Sequence, residues 1–140
     1  YCRLRVVIGH LPIYAIAEGR NRKGDVLDNA DAFCEMLDKG NVDYYISGHH
    51  HAFYLSRRYR VKMISSGALG GGPRRLLGSD APAVKTITTL NLPSAGREFR
   101  ILTHDVTNGM KPLALSDLPA ELWGFNGNSQ LYIPETSSER

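Results

Sequence analysis

The sequence predicts an α/β fold built on a parallel βαβ unit, and three observations carry that prediction. Two short apolar runs, residues 4–8 and 42–47, each end at a glycine followed by histidine. Between them lies a stretch whose apolar residues recur with helical spacing. A strand, a helix and a second strand in that order pair in parallel through a right-handed crossover.

The first strand is the run Leu4, Val6 and Ile8 alternating with Arg3, Arg5 and Val7, and it becomes uniformly apolar toward Gly9. That pattern predicts a strand buried on both faces at its C-terminal end. Pro12 forbids a helix from starting at Leu11. Residues 15–27 are polar and contain Gly19 and Gly24, which predicts a long surface loop of the kind that is functional or mobile. Asp28 and Asn29 are N-cap candidates. Ala30, Phe33, Cys34 and Leu37 then fall on one helix face, and Lys39 followed by Gly40 marks its end. The second strand delivers Gly48-His49-His50-His51.

Residues 53–55 and 59–64 read as a hairpin around Ser56-Arg57-Arg58. Residues 65–75 form a glycine-rich loop without the Gly-Lys-Ser/Thr ending of a P-loop. Residues 86–92 and 99–105 read as two further strands joined by Pro93-Ser94-Ala95-Gly96. From residue 110 to 140 the composition turns to Pro, Ser, Asn and Gly, which predicts a polar C-terminal tail that wraps the surface or is partly disordered.

With 140 residues, 42% hydrophobic and 22% charged, the chain can build one soluble domain of ordinary size. Net charge is +3 and the sequence pI is about 9.0. That diffuse excess suits an anionic substrate and does not indicate nucleic acid. No stretch approaches a membrane span. Cys2 and Cys34 lack CxxC spacing and read as small buried hydrophobes. The compartment stays open. The chain opens on Tyr1 and enters a strand almost at once, which predicts the middle of a longer gene product or a processed piece.

Strand ends are where parallel sheets place their sites, and both Gly-His segments fall there. One reading of three consecutive histidines is a polar turn facing water. The second Gly-His segment favours a metal site for Zn, Mn or Fe, with His10, His49 and His51 as ligands. His49 and His51, two apart, share a face if the backbone is extended there. No acidic cluster accompanies them, since Asp25, Asp28 and Asp31 fall in or beside the loop and Asp43 is mid-strand. The ligand set is therefore incomplete. Arg74 and Arg75 could clamp a phosphate or be solvated. Tyr14 and Tyr54 could line the pocket or pack beneath the loop.

Gly9-His10-Leu11-Pro12 followed by Gly48-His49-His50-His51 resembles the last two metal-binding motifs of the calcineurin-like metallophosphoesterases. Residues 7–14, residues 41–48 and Ser66-Gly67-Ala68 are most similar to the purple-acid-phosphatase-like branch. The resemblance implies that residues 1–109 are the C-terminal half of a four-layer α/β/β/α sandwich. It implies two divalent or Fe/Mn/Zn-type transition-metal ions, with His10 and His49 on one and His51 on the other. The chemistry implied is hydrolysis of a phosphate-ester substrate by a metal-bridging hydroxide. His50 is then expected near the substrate as a catalytic residue, and because Leu11 stands where some relatives carry a proton-donating histidine, leaving-group protonation falls to His50, to the absent half or to water. Tyr14 and Arg74 are expected to contact substrate. The family's early motifs, D-x-H, G-D-x-x-D and G-N-H-D/E, are absent, so the resemblance implies a partner N-terminal half, upstream or on a separate chain. The alternative is a non-catalytic scaffold of the same fold that binds a partner protein.

Overall fold

A four-stranded sheet organises the molecule. In a computed structural model, which describes residues 2–135, β1 (Val6–Ile8), β2 (Tyr44–Ser47), β3 (Tyr54–Arg58) and β4 (Val61–Ser65) lie in the order β1-β2-β4-β3. The first two strands pair in parallel, Val6 opposite Tyr44 and Ile8 opposite Ile46, as the βαβ reading requires. β4 continues the parallel ladder on the other side of β2, and β3 turns back antiparallel to β4.

Helix α1 (Ala30–Lys39) follows Asn29, whose backbone is left-handed at φ 53° and whose side chain makes no capping bond. It ends at Gly40, whose N–H donates to Met36 O at 3.0 Å. Ala30, Cys34 and Leu37 are buried and Phe33 packs beside them. This stripe lies on the sheet face carrying Val7, Tyr45 and Met63, residues aligned across three strands. Strand alternation sends Tyr44, Ile46 and Ile64 to the opposite face. There they meet Ile101, Leu90 and Phe99 of a second sheet.

That second sheet contains β5 (Thr86–Asn91), β6 (Arg100–Asp105) and β7 (Lys111–Pro112) in antiparallel order. The described residues thus stack as helix, sheet and sheet, a mixed α/β architecture. A 3-10 turn (Leu115–Asp117) and a hairpin of β8 (Glu121–Gly124) and β9 (Gly127–Gln130) complete it.

Several expectations change. Ile8 is 75% exposed and not buried on both faces, because β1 is an edge strand that the second sheet does not reach. Residues 15–27 are not a wholly solvated loop. Ala15, Ile16, Ala17, Asp25 and Val26 are buried, and Ile16 and Ala17 fill the space beside Ala52, Tyr54 and Leu122. Cys34 is buried as expected, but Cys2 is exposed. The stretch expected as a tail carries the elements from β7 to β9, with Leu115 and Leu122 buried. Residues 136–140 of that stretch lie outside the described residues.

Candidate metal centre

Both Gly-His segments leave the sheet at its carboxyl edge and are tied to each other there. Gly9 N–H donates to Ile46 O at 2.9 Å, and Gly48 N–H donates to His10 O at 3.0 Å. A side chain at Gly9 would collide with the Tyr45 hydroxyl, which donates to Leu11 O at 2.6 Å. The turn after Gly48 is not extended. His49 and His51 both have left-handed backbones, at φ 64° and 54°, each costing a non-glycine residue about 1–2 kcal/mol. The shared face expected from strand alternation is therefore not formed. Non-glycine strain of this kind concentrates at functional sites.

What the turn does form is a chain of three side chains. His10 Nε2 lies 3.1 Å from His49 Nδ1, and His49 Nε2 lies 2.7 Å from Asp25 Oδ1. A carboxylate only accepts, so His49 carries its proton on Nε2 and turns the Nδ1 lone pair toward His10. The bond from His49 and a second from Arg22 Nε, at 2.7 Å, hold the Asp25 carboxyl down to about 2. Arg20 approaches the same Oδ1 at 3.9 Å.

His50 lies between the two strained residues and is fully buried. Its Nε2–H donates to Asp25 O at 2.9 Å, and its Nδ1 accepts from Ile16 N–H at 3.4 Å. Burial pushes its imidazole down to about 4. Both of its nitrogens are held by backbone groups. It pins residues 16–25 to the histidine turn. His51 points elsewhere: its Nδ1–H donates to Gly72 O at 2.9 Å, leaving Nε2 free to ligate. A Cβ at Gly71 would stand 2.6 Å from the His51 ring.

Two imidazole nitrogens on one tetrahedral ion, with bonds of about 2.0–2.1 Å, stand about 3.3 Å apart. The His10–His49 separation fits that spacing, and Asp25 on the far nitrogen supplies the carboxylate–histidine arrangement that orients a metal ligand. The pair fits half of one ion's shell. The expected convergence of three imidazoles does not occur, because among the described residues no group of three or more His, Cys, Asp or Glu could hold a metal ion.

Tyr14, expected at the substrate, is instead buried in an ion-pair network. Its hydroxyl donates to Asp31 at 2.6 Å and accepts from Arg58 at 2.7 Å, with the Arg58 guanidinium 4.2 Å above its ring. Burial, then the Asp31 bond, raises its pKa. Tyr54 is buried too, donating to Pro119 O at 2.7 Å. Arg74 lies beside His51, its backbone N–H donating to His51 O at 3.0 Å. Asp25 is the residue that sequence reasoning passed over. Its one signal was its place in a long loop that also carries Gly19, Arg20, Arg22 and Gly24.

Residues 2–53, which contain both Gly-His segments, match the family described as Calcineurin-like phosphoesterase. No curated protein matches the sequence. Among solved structures the chain is similar to one described as GAP50, the anchor in the inner membrane complex of Plasmodium. The TM-score is 0.55 and the identity 16%, and the match takes in 99% of this chain and 40% of that one. Likeness at that identity concerns the fold, and the mixed α/β architecture is consistent with a metallophosphoesterase-like one. The chain spans less than half the length of the structure it resembles. No helix among the described residues is long and apolar enough to cross a membrane.

Proposed function

We propose that this chain is the C-terminal half of a four-layer α/β/β/α sandwich and supplies part of a two-metal centre for hydrolysing phosphoric esters. Residues 1–109 make that half, with residues 110–140 following as its polar C-terminal segment. The observation that carries the reading is the His10–His49 contact at 3.1 Å, backed by Asp25. An imidazole pair at ligand spacing, oriented by a buried carboxylate, serves a cation better than it serves packing.

His10 Nε2 and His49 Nδ1 would hold one ion, and His51 Nε2 would face a second. Asp25 keeps His49 in the ligating tautomer. Ions of the Zn, Mn or Fe type, when bound, supply an activated water and take up charge on the phosphoryl oxygens. Arg74 would engage the phosphate. Protonation of the leaving group would fall to His50, to the other half or to water.

The carboxylates of such a centre would come from an N-terminal half, upstream or on a separate chain. The uncovered end of the inner sheet face, at Val6 and Ile8, supports that. The experiment is hydrolysis of p-nitrophenyl phosphate by the protein with its upstream region. Activity that vanishes in His49→Ala is expected, and activity unchanged in that variant contradicts the reading.

A second reading is a non-catalytic scaffold of the same fold that binds a partner protein. One observation favours it: the described residues hold two convergent imidazoles and no third ligand. The likeness to a structure described as an anchor points the same way.

A further inference from the structure

The edge of the sheet opposite the histidines carries a groove of about 450 Å³, between the β3–β4 end of the sheet and the turn joining β5 to β6. Four cations line it, Arg57, Arg60, Lys62 and Arg97, against two carboxylates, Asp43 and Glu98. Strand register brings two of the cations together. Arg57 of β3 stands directly opposite Lys62 of β4, and Lys62 stands beside Tyr44 of β2, so the three share one sheet face. Like charges directly opposite each other on paired strands are destabilising. Aromatic rings offset part of that. Lys62 Nζ lies 4.7 Å from the centre of the Tyr44 ring, and the Arg57 guanidinium 5.2 Å from that of Tyr132. Carboxylates do not. Asp43 Oδ2 accepts from Arg5 N–H at 2.8 Å, Glu98 accepts from the Tyr132 hydroxyl, and Arg60 is taken by Asp38 at 3.4 Å. Among the described residues, Arg57, Lys62 and Arg97 pair with no carboxylate. Arg57 and Arg97 are exposed, where water screens them, but Lys62 is half-buried and screened less.

We propose that this groove is a docking site for an acidic segment of a partner protein, whose carboxylates Lys62, Arg57 and Arg97 receive. Charge complementarity carries the proposal. The groove holds three cations that nothing in the chain neutralises, two of them forced together by register, and an incoming carboxylate relieves that repulsion. Lys62, the least solvated of the three, is the anchor. Arg57 and Arg97 add guanidinium forks that match a carboxylate. A nucleic acid fits less well. Asp43 and Glu98 interrupt the cations, so an evenly charged phosphate backbone meets repulsion that a peptide avoids by spacing its carboxylates. Bases also need open aromatic faces to stack on, and here Lys62 and Arg57 cover the tyrosine rings. The proposal does not rest on the metal centre, which lies at the other edge of the sheet.

The test is fluorescence anisotropy of a labelled peptide of alternating Glu and Ser, titrated with the chain at low ionic strength without metal. Its Gln-Ser counterpart and a labelled oligothymidylate serve as comparisons. The Glu peptide should bind, with affinity that falls as salt is raised, and the Gln peptide should not. Oligothymidylate should bind more weakly than the Glu peptide. Lys62→Gln should lower affinity for the Glu peptide about tenfold, as loss of a charge-assisted bond does. The exposed Arg97→Gln should lower it about threefold. Lys111→Gln, at the opposite end of the second sheet, should bind as the parent does. Urea unfolding shows that each variant is folded, and Arg97→Gln, at an exposed turn position, tests the groove even if Lys62→Gln does not fold. Absence of Glu-peptide binding, equal binding of the Gln peptide, undiminished binding in the folded groove variants, or tighter binding of oligothymidylate would each overturn the proposal. Metal binding and ester hydrolysis in His49→Ala bear on the other edge alone, so the two readings can fail independently.

Discussion

Asp25 holds two histidines by two different atoms. Its carboxylate accepts from His49, and its carbonyl accepts from His50. The two imidazoles therefore have different work despite standing side by side. His49 is oriented and half open, whereas His50 is sealed. Removing His50 strips the partners from Asp25 O and Ile16 N–H and leaves a void in the core. Unpaired buried groups cost about 1–3 kcal/mol, and the void adds to that. His50→Ala should lose about 2–4 kcal/mol of stability in urea unfolding, consistent with those two terms. An equal stability with a selective loss of leaving-group protonation would mean that His50 acts in catalysis and not in holding the fold. The sequence could not separate these neighbours. Three histidines in a row look alike until the left-handed backbone at His49 and His51 sends their rings in different directions.

At the scale of elements, α1 was legible because its spacing of Ala30, Phe33, Cys34 and Leu37 has one physical explanation. Its start was legible as a position but not as a mechanism. Asn29 is the cap residue, yet it sits at φ 53° and its side chain bonds no backbone N–H. Glycine adopts that conformation without the Cβ penalty. Asn29→Gly should therefore leave the fold unchanged or stabilise it by up to about 1 kcal/mol, read as a higher urea midpoint. A loss well beyond that would mean the asparagine side chain contributes something the present contacts do not account for. The parallel pairing of β1 with β2 was equally readable from the order strand, helix, strand. The burial of β1 was not. Apolar composition says that a strand is meant to be covered, and only the sheet order reveals that the cover over Ile8 is not supplied by the described residues.

Across the described residues, buried ionisable groups sit on both sides of the central four-stranded sheet. Cys34 lies under α1, and burial raises its thiol from 9.0 to about 11. Tyr44 faces the second sheet, and burial raises its phenol from 10.0 to about 12. Groups whose folded pKa is raised favour the native state while they stay neutral. In the unfolded chain they ionise first, so stability falls as pH rises from 9 through about 12. Urea midpoints measured from pH 8 to 12 should trace that decline, whereas a flat profile would contradict the burial. At this scale the sequence disclosed the order of elements and the motif pair. It did not disclose Asp25, because a carboxylate in a polar loop carries no sign that the loop folds back beneath the histidines.

The central claim is that His10 and His49 together hold a metal ion. Calorimetric titration of the chain with Zn²⁺ tests it most directly, with His10→Ala and His49→Ala beside the parent and urea unfolding to show that each variant is folded. The account predicts one ion bound weakly by the parent and no measurable binding by either variant. Equal binding in all three proteins would contradict it.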